Sequence, residues 1–218
     1  LQRGVPVMLS HSVVLLLREA PRPVAGHTRT RAGEHILGAS VRMQMLRGEI
    51  LRAARSDLDI LIRGETGSGK ELVAGAIHAA SARRAGPLVS VNVAAIPPEL
   101  AAAALFGSAR GAFTGAERAT AGYFREAAGG SLFLDEIGDA AASVQPQLLR
   151  ALQQREIQSV GGAVESVDLR VISATDVSLD EPESDFRAAL RHRLAACEIR
   201  VPPLREHPED IGELLRHF

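Results

Sequence analysis

Cysteine and lysine are almost absent from this sequence. Cys197 is the one cysteine among 218 residues, which excludes a disulfide-stabilised scaffold and favours a reducing compartment, so we expect a cytoplasmic protein. No uninterrupted apolar run approaches the ~18 residues of a membrane-spanning helix, so we expect no membrane anchor. The formal net charge is −1, without the basic excess that is typical of nucleic-acid-binding domains. Of the 25 basic residues, Lys70 is the only lysine.

The first 30 residues differ in character from the rest. Two β-prone runs, Val5 to Leu9 and Val13 to Leu17, flank a short polar segment and predict a hairpin. The proline-containing, polar stretch that follows is typical of a linker. We expect residues 1–30 to be the tail of an upstream β-rich regulatory module, with a β-ribbon of the main domain as the alternative. Because the chain begins with Leu1, we expect it to be a fragment.

From residue 34 onward, apolar strands alternate with amphipathic helices. This alternation predicts an α/β domain over residues 34–218, with a parallel sheet sandwiched by helices. The predicted strands are Leu58 to Arg63, Leu88 to Val93, Ser131 to Leu134, Leu169 to Ser173 and Glu198 to Val201. The predicted helices are Glu71 to Ser81, Pro97 to Leu105, Val144 to Gln154, Phe186 to Leu194 and a last one that opens at Pro208.

A glycine-rich loop follows the first of these strands. It reads Gly64-Glu65-Thr66-Gly67-Ser68-Gly69-Lys70, and Glu71 continues into the next helix. The glycines let successive amides point at one centre, and the helix N-terminus and Lys70 add positive potential for phosphate groups. A glycine-rich loop with an ordinary solvated lysine is the alternative, but it leaves the position of the only lysine unexplained. We therefore predict that residues 64–71 bind the phosphates of a nucleotide.

Two adjacent acids follow the strand that ends at Leu134. In open parallel sheets, ligands lie at the carboxyl ends of the strands, where the phosphate loop also lies. We therefore expect Asp135 to hold Mg2+, commonly through water, and Glu136 to polarise a water molecule for attack on the γ-phosphate. The alternative is a pair of solvated acids that cap the following helix. Taken with the phosphate loop, the pair predicts ATP hydrolysis.

The segment Gly111-Ala112-Phe113-Thr114-Gly115-Ala116 has no helical or strand periodicity. Glycines near both ends permit a mobile loop, and an apolar tip on such a loop would suit contact with another macromolecule. A turn that buries Phe113 in the core is the alternative, and the residues alone favour it.

This hexapeptide resembles the signature loop of the sigma-54-dependent transcriptional activators, the NtrC-like bacterial enhancer-binding proteins of the AAA+ class. The resemblance runs from about Ile36 to the end of the chain. It includes residues 64–71, 91–97, 132–139, 147–150, 160–162, 170–172 and 202–206. It implies an AAA+ P-loop NTPase fold, here ending before the helical lid that the family carries.

The resemblance also implies a function, partners and further site residues. It implies a hexameric ring that hydrolyses ATP with Mg2+ and remodels the closed complex of sigma-54 RNA polymerase holoenzyme to activate transcription. Phe113 and Thr114 match residues that touch sigma-54, and Asn92 matches an asparagine that couples the catalytic acid to the nucleotide state. Arg187 and Arg193 match arginines that act across the subunit boundary. Contact with promoter or enhancer DNA would need a domain that this chain does not contain.

Several positions depart from the family pattern. The family usually has Thr-Asn as its sensor pair, and this chain has Thr175-Asp176 at that position. The Asp176 carboxylate would repel a nearby γ-phosphate unless the carboxyl is protonated or turned away. Other usual polar residues are replaced by Ala104, Ser108-Ala109 and Ala189. A nucleotide-binding assembly module with impaired hydrolysis is therefore the alternative to an active motor.

The histidines and the cysteine carry no recognisable site. His78, His192 and His207 lack the spacing of metal ligands, so we expect them to have structural or surface roles. Cys197 lies beside a predicted strand, and we expect it to pack rather than to react.

Overall fold

The computed structural model describes residues 5–10, 13–17, 36–112, 119–179 and 185–217. At the amino end, strands β1 (Val5–Ser10) and β2 (Val13–Leu17) pair antiparallel, which confirms the predicted hairpin. The predicted linker and Phe113, Thr114, Gly115 and Ala116 of the predicted loop lie outside the described residues.

The rest of the described chain alternates between helices and strands. The first half comprises α1 (Val41–Ala54), β3 (Ile60–Arg63), α2 (Lys70–Ala80), β4 (Leu88–Asn92), α3 (Ala101–Phe106), α4 (Tyr123–Glu126) and β5 (Ser131–Asp135). A 3₁₀ turn at Ile137–Asp139 leads on to α5 (Gln145–Gln154), β6 (Glu156–Gln158), β7 (Val164–Ser166), β8 (Arg170–Thr175), α6 (Ala188–Leu194) and β9 (Cys197–Arg200). Two further 3₁₀ turns, Leu204–Glu206 and Pro208–Asp210, precede α7 (Ile211–His217).

Five strands form one sheet, in the order β4-β5-β8-β3-β9. Every neighbouring pair in it is parallel, because each connection returns to the same edge of the sheet before the next strand begins. The carboxyl ends of β3, β5 and β8 therefore lie side by side at one edge. This arrangement confirms the predicted parallel α/β architecture, and it brings the segments that follow these strands together.

Alternating side chains along the strands enter two separate cores. Ile60 and Ile62 of β3 pack on one face of the sheet with α1 and α2, whereas Leu61 packs on the other face with α3, α5 and α6. All three side chains are fully buried. This pattern is typical of a parallel sheet that is covered on both faces, where successive residues point in opposite directions.

Helix α1 was not predicted, and it forms a large part of one core. Its buried residues Met43, Leu46 and Ile50 recur at helical spacing on one face. Ser40 is its N-cap, and the Ser40 hydroxyl accepts a hydrogen bond of 3.3 Å from Met43 N. The helix packs beside α2 and β9, in the same core as Ile60 and Ile62 of β3.

Three predicted helices begin later than expected. Helix α3 starts at Ala101 rather than Pro97, because Pro97 and Pro98 lack an N–H and form a separate turn that ends at Leu100. Helix α6 starts at Ala188, because Phe186 is buried in the core and the backbone of Arg187, the N-cap, is extended. Pro208 opens a 3₁₀ turn before α7.

A second hairpin, β6–β7, was also not predicted. It extends from the C-terminus of α5, and its connection reaches the segment that leads into residues 113–118. Val160 N donates to Gly107 O at 2.9 Å, and Ala109 N donates to Val160 O at 2.9 Å. Ser108 bridges both Val160 and Thr120. The segment that enters the predicted partner-binding loop therefore rests on this hairpin, and Thr120 on the far side of the loop pairs with that segment at Ser108.

Candidate nucleotide-binding site

The phosphate loop lies between the carboxyl end of β3 and the first turn of α2. Gly67 and Gly69 have φ values of 78° and 92°, a left-handed conformation that glycine adopts without strain. Gly64 N donates to Thr175 O of the adjacent strand at 3.2 Å, which fixes the start of the loop to the sheet. The loop thus curls directly over the N-terminus of an 11-residue helix, as an anion cradle requires.

Lys70 is the first residue of α2 and is largely buried, with 6% of its surface exposed. Its Nζ donates to Gly64 O at 3.1 Å and lies 3.5 Å from Glu136 Oε1. A buried ammonium group needs such partners, because desolvation without them is costly. The only lysine of the chain is therefore folded inside the loop, facing the acid at the end of β5.

The acid pair stands where β5 ends. Glu136 has φ 50° and ψ 49°, which for a non-glycine residue costs on the order of 1–2 kcal/mol. Its backbone N–H donates to Asp135 Oδ1 at 3.0 Å. This bend sends the two carboxylates in different directions, so that Glu136 reaches Lys70 while Asp135 remains at the strand end.

The environment of Glu136 shifts the pKa of its carboxyl. Burial raises the pKa of the Glu136 carboxyl, the negative charges of Asp176 and Asp135 raise it further, and the Lys70 ammonium opposes both. The net direction is upward. A carboxylate with a raised pKa is a better proton acceptor than an ordinary glutamate, which suits a general base.

Asp176 is turned toward the phosphate loop. Thr66 Oγ1 donates to Asp176 Oδ2 at 2.5 Å, and this hydrogen bond is the main reason that the pKa of Asp176 is lowered. Both side chains are exposed. Thr175 ends β8 beside them, with its Oγ1 accepting from Val177 N at 3.2 Å. The acid therefore stays ionised next to the predicted position of the phosphates.

Asn92 lies at the end of β4, in register with Asp135. Its Oδ1 accepts a hydrogen bond of 3.2 Å from Ala95 N, and its side chain is exposed. Within the described part of the chain, no hydrogen bond joins Asn92 to Glu136. The position of Asn92 suits the role that the resemblance implies, but its side chain is engaged by its own loop.

The remaining loop residues differ in what they contact. Ser68 Oγ is buried and has no hydrogen-bond partner among the described residues. Glu65 is held by Arg205 through two contacts of 2.7 and 2.5 Å, and the Arg205 guanidinium lowers the pKa of the Glu65 carboxyl. Glu71 is exposed at the start of α2. The unpaired Ser68 hydroxyl inside the loop therefore fits a phosphate oxygen as its acceptor.

An apolar cavity of about 620 Å³ opens beside the phosphate loop. The sequence did not predict it, because its walls come from four distant segments. Besides residues 65–69 of the loop, its lining includes Ile36, Leu37, Met43, Leu46, Leu72, Val73, Val201, Pro202, Pro203 and Leu214. An apolar cavity next to an anion cradle has the form of a site for a nucleotide base. In the sequence, this cavity could have been indicated by two apolar pairs that border predicted elements, Ile36-Leu37 and Pro202-Pro203.

The two arginines that the resemblance assigns a role across the subunit boundary lie apart from this site. Arg187 is exposed at the N-cap of α6, where its N–H donates to Gln145 Oε1 at 2.8 Å. Arg193 lies near Asp59, which precedes β3, and so belongs to the opposite edge of the sheet from Lys70. Gly111 and Ala112 end the described part of the loop near Gly161.

The described residues contain neither a cluster of metal ligands nor a membrane-spanning helix. In the part of the chain that the structure describes, no group of three or more His, Cys, Asp or Glu side chains could hold a metal ion. None of the described helices is long and apolar enough to cross a membrane. His78 and His207 are buried with partners, as expected, and Cys197 packs beside the core of α1 and α2.

Comparison with known proteins agrees with this geometry. The transcription regulator NorR of Serratia proteamaculans is 46% identical over 211 residues, covering 94% of this chain and 42% of the relative. The regulatory protein ZraR of Escherichia coli is 49% identical over 186 residues, covering 84% of this chain and 42% of the relative. The chain thus spans less than half the length of these relatives.

Solved structures show the same fold. NtrX from Brucella abortus in complex with ATP superposes with a TM-score of 0.78 at 40% identity, covering 84% of this chain and 40% of that one. The P-loop NTPase domain of a sigma-54 activator from E. coli, at 20% identity and a TM-score of 0.53, shares the fold. Residues 36–200 match the family described as the Sigma-54 interaction domain. The chain therefore belongs to the Sigma-54 interaction domain family of AAA+ P-loop proteins, whose relatives here are transcriptional regulators.

Proposed function

We propose that this domain binds and hydrolyses ATP. The observation that carries the proposal is the convergence of Lys70, Asp135 and Glu136 beside a glycine-rich loop that opens onto an apolar cavity. The loop amides and Lys70 would bind the phosphates, and the cavity would accept the base. The likeness to NtrX, which was solved in complex with ATP, supports the same assignment.

Mg2+ fits the same pocket. Asp135 uses Oδ1 for the Glu136 N–H, while its Oδ2 has no hydrogen bond to any residue in the described ranges. A single carboxylate oxygen is a suitable protein contribution, because Mg2+ takes one or two carboxylates together with phosphate oxygens and water. We expect Asp135 to hold the ion, directly or through water. When bound, the ion would neutralise charge on the phosphate oxygens.

Glu136 would act as the general base. Its carboxylate would take a proton from a water molecule placed for attack on the γ-phosphate, and its raised pKa makes that transfer more favourable. Lys70 pairs with Glu136 at 3.5 Å and would instead contact the phosphates once they enter the loop. When nucleotide is present, Lys70 would pair with the phosphates instead of Glu136. The Glu136 carboxylate would then be free to accept a proton from the water.

We further propose that a neighbouring subunit completes the site. Arg193 is anchored on Asp59 at the opposite edge of the sheet from Lys70, and the exposed Arg187 side chain has no hydrogen bond to the phosphate loop among the described residues. In a ring they could reach the pocket of the next subunit, where such an arginine contributes roughly a thousandfold or more to the rate. A hexamer is the assembly that the family resemblance implies.

The partner of this motor would be sigma-54 RNA polymerase holoenzyme. The segment that begins at Gly111 and Ala112 would contact sigma-54 through Phe113 and Thr114, and the residues that lead into it rest on the β6–β7 hairpin. ATP turnover would move this segment and drive the closed promoter complex toward the open one, thereby activating transcription. Because bacterial RNA polymerase works in the cytoplasm, this function places the protein there.

A second candidate is an assembly module that binds nucleotide but hydrolyses it slowly. The observation that favours it is the ionised Asp176, whose charge stands beside the phosphate loop. Steady-state phosphate release by the full-length protein separates the two candidates. The motor predicts a rate far above that of Glu136→Ala, whereas equal rates would favour the assembly module.

The transcriptional role requires its own test. Open-complex formation by sigma-54 holoenzyme would be measured with full-length wild type, Phe113→Ala and Thr114→Ala. The proposal predicts that both variants lose open-complex formation while they continue to hydrolyse ATP. Variants that open the promoter as well as wild type does would contradict the assignment of this loop.

A further inference from the structure

A buried carboxylate at the amino edge of the sheet contacts two arginines. Asp59 directly precedes β3, and its side chain is fully buried. Arg155 donates to Asp59 from both terminal nitrogens at 3.2 Å, and Val171 N donates to Oδ1 at 3.1 Å. Arg193 Nη2 lies 3.4 Å from Oδ2. Two cations and one backbone amide therefore surround a single acid.

Arg193 is held in a defined orientation by these contacts. Its Nε and Nη2 both donate to Leu152 O of α5, at 3.1 and 2.8 Å, and Nη2 also faces Asp59. Nη1 has no hydrogen bond to any residue that the structure describes, and about a third of the side chain is exposed. The guanidinium is thus anchored on one side while its other side remains accessible.

Arg155 connects the same carboxylate to the β6–β7 hairpin. It ends α5 in a left-handed conformation with φ 55°, and its carbonyl accepts from Val167 N at 2.8 Å, directly after β7. At its far end the hairpin bonds to both Gly107 and Ala109 through Val160. A continuous set of contacts therefore joins Arg193, Asp59, Arg155, the hairpin and the segment that enters the loop at 113–118.

We propose that Asp59 is a positioning residue with two tasks. It orients Arg193 for the nucleotide of the neighbouring subunit, and through Arg155 it ties that arginine to the hairpin that supports the sigma-54-binding segment. The inference rests on the proposed function, because it takes Arg193 as a group that acts across the subunit boundary. The inference makes Asp59 a residue through which the nucleotide bound to the neighbouring subunit and the position of the sigma-54-binding segment can influence each other.

The charge of Asp59 is what this role requires. An amide at this position would still accept a hydrogen bond from Val171 N, but it would not attract two guanidinium groups. Arg193 would then keep Leu152 O as its only anchor and would sample more orientations. Misplacement of a catalytic group by about 1 Å can reduce a rate roughly a hundredfold, so we expect a loss of about tenfold to a hundredfold.

The first experiment measures steady-state ATP hydrolysis by the full-length protein. The variants are Asp59→Asn, Arg193→Ala, their combination, and Asp57→Asn as the matched control. Asp57 lies two residues away and pairs with Arg83 at 2.7 and 2.8 Å, without contact to Arg193. We expect Asp59→Asn to slow turnover, Asp57→Asn to match wild type, and the double variant to be no slower than Arg193→Ala.

The outcomes distinguish failure of the inference from failure of the proposed function. If Arg193→Ala hydrolyses ATP as fast as wild type, the trans role of Arg193 is wrong, and the proposed function fails at that point. If Arg193→Ala is slow but Asp59→Asn is as fast as wild type, only the inference is overturned. The inference is also overturned if Asp59→Asn slows the Arg193→Ala protein further, because the effect would then be general damage.

A second measurement tests the connection to the hairpin, even if Asp59→Asn does not fold. Hydrogen exchange of residues 156–166 would be followed before and after addition of ADP with aluminium fluoride. Wild type should show altered exchange in the hairpin, and Arg155→Gln should lose that response. An unchanged response in Arg155→Gln would overturn the proposed connection.

Discussion

Lys70 Nζ lies 3.5 Å from Glu136 Oε1, although 66 positions separate the two residues in the sequence. Lys70 begins α2 directly after the phosphate loop, and Glu136 follows the end of β5. The parallel sheet brings these two points to the same edge, so a cation and an acid meet where a triphosphate would lie. This contact is the centre of the proposed chemistry, and each group can be tested separately.

Lys70→Met should weaken nucleotide binding while leaving the fold intact. The substitution keeps an unbranched chain in the buried position but removes the charge that would contact the phosphates. Because hydrogen bonds to charged groups contribute about 1.5–3 kcal/mol, ATP affinity should fall about 10- to 150-fold in equilibrium titrations. Arg52→Met, which removes an exposed charge from α1, is the control and should bind ATP like wild type.

Asp176→Asn should strengthen ATP binding. The exposed Asp176 carboxylate accepts from Thr66 and remains ionised beside the loop, so it repels a triphosphate. An exposed charge at short range is worth at most about 1 kcal/mol, which predicts a gain of about twofold to fivefold. The gain should be larger for ATP than for ADP and should shrink at high salt. An affinity that falls or stays constant would show that Asp176 does not face the phosphates.

Asp210→Asn should destabilise the protein in a pH-dependent manner. Asp210 Oδ1 accepts from Ala39 N and Ser40 N at 2.8 and 2.9 Å, which ties the start of α1 to the turn before α7. Burial raises the pKa of Asp210, but the hydrogen bonds from Ser40, His207 and Ala39 outweigh burial and lower it overall. The ionised form therefore stabilises the fold above the unfolded pKa of about 3.9, and this contribution is lost as the pH falls below it.

We expect Asp210→Asn to lower the free energy of unfolding by about 1.5–3 kcal/mol at neutral pH. The difference from wild type should narrow below about pH 4, where the wild-type carboxyl also becomes neutral. Urea unfolding at neutral and acidic pH measures both quantities. A difference that does not change with pH would mean that the charge of Asp210 contributes nothing.

His78 should make the fold sensitive to mild acid. Its ring is buried and pairs with Ser131 Oγ at 2.9 Å, and burial lowers the pKa of the imidazole. Below about pH 6.5 the unfolded chain takes up a proton that the folded chain resists, so stability falls as the pH drops, by up to about 1.4 kcal/mol per pH unit. Thermal unfolding should show a weaker decline between pH 7 and 5.5 for His78→Gln. His192→Gln, at an exposed position, should decline like wild type.

The sequence was informative where the signal is local. The strand before the phosphate loop, the glycines and Lys70 lie within a dozen residues, and Asp135 and Glu136 directly end another strand. Periodicity and turn chemistry therefore sufficed to place these groups at one edge of a parallel sheet. The resemblance to a family added roles for residues such as Asn92 that no local pattern indicates.

The features that were missed depend on distant segments. The apolar cavity combines Ile36, Leu72, Val201 and Leu214, which no short window contains. Asp59 and Arg155 are 96 positions apart and meet only after the sheet has formed. Helix starts were placed too early at Pro97 and Phe186, because tertiary packing and prolines override a periodic pattern at its ends. Contacts between residues so far apart in the sequence form only when the core assembles, so no local pattern predicts them.

Hydrolysis of bound ATP by Glu136→Gln tests the central claim most directly. The substitution keeps the size and an oxygen of Glu136, but the amide cannot accept a proton from water. We predict that the variant binds ATP about as tightly as wild type, while single-turnover hydrolysis falls about 10²- to 10⁴-fold. Hydrolysis by Glu136→Gln at the wild-type rate would contradict the account, because the carboxylate facing Lys70 would then have no part in the reaction.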